Sequence, residues 1–81
     1  MILPAKHVPA DRSLVGVGAR VVRVLDRPQT VSAIWRRFQD EERARAIGAV
    51  TTYDWFVLAL DFLFAIGCVE IDGGQVMRVD Q

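Results

Sequence analysis

Apolar residues recur at steps of three and four in three stretches of the chain, and at steps of two near its end. Leu14, Val17, Val21, Val24 and Leu25 share one face of a helix that opens after Ser13, whose hydroxyl can cap an N-terminus. Gly16 and Gly18 weaken this helix, by roughly 1 kcal/mol each relative to alanine. They also remove side chains, so a neighbouring backbone could come close. The valines between Ser13 and Leu25 also suit a strand over Ala19 to Leu25. Helix is preferred because period two would bury Arg23 with its apolar neighbours. Arg27-Pro28-Gln29 ends the element. Thr30 then caps a second helix, with Val31, Ile34, Trp35 and Phe38 on its apolar face and a polar continuation from Arg36 to Arg45. Ile47-Gly48-Ala49-Val50 reads as a loop.

A third helix is expected from Tyr53 to Ile66, behind Thr51 and Thr52 as caps. Asp54 sits in the first turn, where negative charge suits the helix dipole. Gly67 is placed to stop the helix with a positive φ. The runs Cys68 to Ile71 and Gln75 to Val79 alternate around Asp72-Gly73-Gly74, a hairpin pattern. The order helix, short extended piece, helix, helix, hairpin predicts an α+β winged helix-turn-helix over residues 13–81, with the hairpin as the wing. Pro4 and Pro9 predict an extended N-terminal arm over residues 1–12. That arm either lies across a partner or packs on its own domain.

Length and composition sharpen this picture. The chain has 81 residues, enough for one small domain with a thin stability margin. Apolar residues make up 52% of it, an excess that must enter a core, a membrane or another protein. The most apolar stretch, Trp55 to Val69, is too short to span a bilayer and carries Asp61 in its middle. No signal peptide is expected, since the N-terminus lacks a basic segment followed by a long apolar one. Cys68 and His7 are the lone cysteine and histidine, which excludes an internal disulfide and a four-ligand zinc site. A reducing, cytoplasmic setting is expected.

Ten basic and ten acidic residues leave zero formal charge, which argues against a free-standing nucleic-acid binder. No motif supports catalysis or a cofactor, so no enzyme is expected. His7 has no evident partner, and Cys68 is expected to pack as a small hydrophobe. The third helix would enter the major groove if this were a DNA-reading winged helix, yet it holds two acidic residues and no basic one. The sole basic feature is Arg20, Arg23 and Arg27, spaced to share a face of the first helix. It is a solvated face paired with Asp26, Glu41 or Glu42, or a contact for DNA or an acidic surface.

The third helix makes a stronger case for protein binding. Phe56, Leu60 and Leu63 form one apolar stripe, and Trp55, Leu58, Phe62 and Ile66 a second. One stripe suffices for the chain's own core. The second either is covered by the wing and the N-terminal arm or meets a partner; on the partner reading the isolated chain is expected to aggregate or self-associate. Asp61 is expected to face water, to pair with an arginine of the same domain, or to receive a donor from that partner.

Four segments together resemble the small middle components of bacterial ABC-three-component systems, specifically middle component 6. They are Ile2-Leu3-Pro4-Ala5-Lys6-His7, Ser13-Leu14-Val15-Gly16-Val17-Gly18-Ala19, Thr30-Val31-Ser32-Ala33-Ile34-Trp35, and Phe56 to Gly67 running into Val69-Glu70. The resemblance implies a non-enzymatic subunit that links an ABC-type ATPase to an effector protein. The ATPase would be related to chromosome-structuring and DNA-repair ATPases, and DNA would be met only through the complex. Such systems are thought to serve antiviral defence. The alternative is a small winged-helix DNA-binding regulator, with Arg20, Arg23 and Arg27 on phosphates.

Overall fold

The computed structural model describes residues 13–45 and 50–79. The expected arm and the Ile47-Gly48-Ala49 break lie outside the described residues. The elements are α1 (Leu14–Val24), α2 (Val31–Arg45), α3 (Tyr53–Ala65), β1 (Val69–Asp72) and β2 (Gln75–Arg78). Three helices followed by an antiparallel hairpin make an α+β domain with a winged-helix-like layout.

Each helix starts where a hydroxyl can take an orphan amide. Ser13 Oγ accepts from Gly16 N at 2.9 Å, Thr30 Oγ1 from Ala33 N at 3.2 Å and Thr52 Oγ1 from Trp55 N at 3.2 Å. The end of α3 is a Schellman turn: Cys68 N donates to Leu63 O at 2.9 Å, and Gly67 N to Phe64 O at 3.0 Å. Gly67 carries the positive φ, +79°, that this turn requires. The hairpin turns through Gly73 and Gly74, at φ +60° and +81°, as a two-residue connection of the twisted type favours. The expected glycine roles at 67, 73 and 74 therefore hold.

The short piece between α1 and α2 joins the wing. Gln29 and Val76 exchange both backbone hydrogen bonds, 3.0 Å and 2.7 Å, so β2 has β1 on one edge and Gln29 on the other. The Gln29 side chain is itself buried. Its Nε2 donates to Val24 O at 2.9 Å and to Arg27 O at 3.0 Å, tying off carbonyls left open at the end of α1.

The core lies among the three helices and the wing. Val17, Val21, Val24 and Leu25 meet Ile34 and Phe38 of α2 and Phe56, Ala59, Leu60 and Leu63 of α3, with Val69 and Val76 closing it from the hairpin. Four rings form its aromatic side: Trp35 lies 4.9 Å from Phe56 and 5.2 Å from Tyr53, and Phe38 lies 5.5 Å from Phe56, centroid to centroid.

Three details differ from expectation. Cys68 is exposed rather than packed in the core. Its backbone closes the Schellman turn, and the next residue, Val69, takes the inward position, so alternation sends Cys68 outward. The neighbour at Gly18 is a side chain rather than a backbone: a Cβ there would lie 3.4 Å from Leu63 Cδ2. Finally, α1 stops at Val24 and Leu25 leaves helical geometry, φ −91° and ψ 62°, so Arg27 stands in the turn beyond it.

An ion pair bridges α1 and α2. Arg20 Nε and Nη2 reach Glu42 Oε2 and Oε1 at 2.8 and 3.1 Å, a bidentate bridge from α1 to α2. The two side chains are only 13% and 14% exposed, so this pair is screened less than a surface one. Arg20→Ala should lower unfolding stability by about 1.5–3 kcal/mol, the scale of a lost charged hydrogen bond. A urea melt checks it, and an unchanged midpoint would show the bridge to be passive.

Candidate functional site

The sequence of α3 is apolar almost all round, and its core-facing side is Phe56, Ala59, Leu60 and Leu63 while other apolar positions stay exposed. On the opposite side Leu58 is 45% exposed and Ile66, at the C-cap, 55%; Trp55 is 37% exposed and Phe62 half-buried. At 100° per residue these positions make one continuous strip along the helix. The structure therefore brings Trp55, Leu58, Phe62 and Ile66 to one outward surface, as their spacing predicts. Phe62 belongs to it in part only, since it also packs against the core and lies beside Gly18.

Asp61 is exposed on the same outward side, as is Asp54 one and a half to two turns earlier. Asp61 makes no ion pair among the described residues. Asp54 lies in the first turn of α3, where the helix dipole favours it. The surface thus consists of apolar side chains around two carboxylates, with no basic residue on the helix.

The three arginines spaced as a basic stripe are not equivalent. Arg20 is held by Glu42. Arg23 is exposed on the last turn of α1, and Arg27 is exposed in the turn after it. Asp26 pairs instead with Arg37, at 2.8 Å to Nη1, and Arg37 Nη1 also donates to Val24 O at 2.9 Å. The Arg37 hydrogen bond holds the Asp26 carboxyl below its usual range. Sequence reading did not single out Arg37 or Gln29. Both act on the carbonyls at the end of α1, and only the folded turn shows which carbonyls those are.

Among the described residues no group of three or more His, Cys, Asp or Glu is placed to hold a metal ion. No helix is long and apolar enough to cross a membrane. The arrangement defines a small winged-helix-like domain whose candidate site is a surface rather than a pocket of convergent polar groups. The family model for ABC-three component (ABC-3C) system Middle Component 6 matches residues 3–79, nearly the whole chain. The chain belongs to that family, as the resemblance in its segments implied, and is thus a component of a multi-protein system with partner proteins. Comparison with the curated proteins and with the solved structures gave no match.

Proposed function

We propose that this chain is a non-enzymatic adaptor that joins an ABC-type ATPase to an effector protein in a bacterial, cytoplasmic, antiviral three-component system. The observation that carries the reading is the outward surface of α3. A middle component must offer its partners a surface, and a helix with one apolar face in the core and another exposed supplies one. Leu58, Phe62, Ile66 and Trp55 would provide the contact area and Asp61 its polar anchor. Neutral net charge fits a protein-facing role better than a DNA-facing one.

The experiment is co-expression of the chain with the ATPase and effector encoded beside it. Stable co-purification at moderate salt is expected, and its absence with both partners present would remove the adaptor role. The second reading, a DNA-binding regulator, draws on Arg23 and Arg27, which are exposed near one another at the end of α1. It predicts that the purified chain binds duplex DNA with an affinity falling steeply with salt. The adaptor reading predicts weak binding without sequence preference. Tight, site-specific binding by the chain alone would favour the regulator.

A further inference from the structure

An apolar helix face can receive many partners, but the face of α3 carries charge of one sign only. Asp54 and Asp61 stand on its outward side, both exposed, and no Lys or Arg lies anywhere on the helix. The other acidic groups with arginine neighbours are already engaged: Glu42 with Arg20, Asp26 with Arg37, Asp40 with Arg43 and Glu41 with Arg45. Asp61 has no such partner among the described residues. It lies one turn from Leu58 and Ala65 on the helix surface, so a partner that covers Leu58 also removes water from its carboxylate. Desolvating a carboxylate without a counter-charge is strongly unfavourable.

We propose that the outward face of α3 binds a basic, apolar partner segment that places an arginine or lysine against Asp61 while its apolar side chains cover Leu58 and Ile66. The proposal rests on the adaptor reading and specifies the chemistry of the partner. A second copy of this chain is a poor occupant. Pairing α3 against α3 would enclose four carboxylates, two from each copy, and no base. The apolar strip can still drive loose association of the isolated chain, but it does not build a paired dimer. A DNA backbone is excluded by the same charges. An arginine is well suited to Asp61, because its fork can hold both carboxylate oxygens while its stem lies along Leu58.

The test titrates wild-type chain, Asp61→Asn, Asp61→Lys and Leu58→Glu onto the other two components of its system, at several salt concentrations. Thermal melts of each variant alone accompany the titration. Asp61→Asn should melt like wild type, bind at least tenfold more weakly at low salt, and show a flatter salt dependence. Asp61→Lys should bind more weakly still. If Leu58→Glu fails to bind while Asp61→Asn binds as wild type with the same salt dependence, the face is an interface but its partner is not basic, and this inference falls alone. If Leu58→Glu binds normally, the face itself is not used, and the α3 part of the adaptor reading falls with it. A wild-type chain that forms a discrete dimer strengthened by Asp61→Asn would make the second copy the occupant and overturn the proposal. An early melt of Asp61→Asn would do so too, by making Asp61 a contact of the fold.

Discussion

Phe56→Ala should leave the isolated domain largely unfolded at room temperature. Phe56 has no solvent exposure and sits where all three other rings of the aromatic side converge, 4.9 Å from Trp35, 5.5 Å from Phe38 and 5.9 Å from Tyr53. Truncating a buried phenylalanine removes its transfer free energy and leaves a cavity, together about 3–5 kcal/mol. A domain of this size holds a total of about 3–5 kcal/mol from its core without disulfides or metal. The loss is therefore comparable with the whole margin. Circular dichroism with a urea titration reads the result, and Phe56→Leu should retain a cooperative transition at lower midpoint. A Phe56→Ala domain that unfolds cooperatively within 1 kcal/mol or so of wild type would show that α2 and α3 are not held by this cluster.

The second large effect separates stability from assembly. Leu58 projects from the side of α3 opposite Phe56 and is 45% exposed. Leu58→Glu places a charge where water already reaches, on a helix position that tolerates glutamate well, so the isolated domain should melt within a few degrees of wild type. Its partner would then face a buried third carboxylate in place of an apolar contact. Binding should fall by about a hundredfold or more, the scale of losing an interface hot spot. The contrast with Phe56→Ala is the point. Two residues two positions apart on one helix should fail in opposite assays, one in folding and one in assembly.

The sequence carried most of this architecture because its signals are local. Serine or threonine stands ahead of each helix, glycine stands at each required positive φ, and apolar steps of three and four mark each inner face. The outward strip of α3 was legible for the same reason. Trp55, Leu58, Phe62 and Ile66 recur at steps of three and four, offset from the inward set Phe56, Leu60 and Leu63. What stayed hidden depends on contacts between distant residues. That Gln29 would bond Val76 and cap α1 follows from where the wing folds back, which no periodicity encodes. Arg20, Arg23 and Arg27 share a helical spacing, yet the helix ends before Arg27, and Glu42 comes from 22 residues away to take Arg20. Cys68 looked like core because cysteines usually are. Its outward position is set by the Schellman turn that its own amide closes.

If the outward side of α3 meets a partner protein, hydroxyl-radical footprinting should register its burial residue by residue. The free chain and the chain assembled with the other two components of its system are oxidised in parallel, and side-chain modification is read by mass spectrometry. Leu58, Phe62 and Ile66 should lose reactivity on assembly by severalfold. Val15, exposed at 66% on the outer side of α1, should serve as the unaffected reference. Equal oxidation of the α3 residues in both states, with protection elsewhere on the domain, would move the interface to another face.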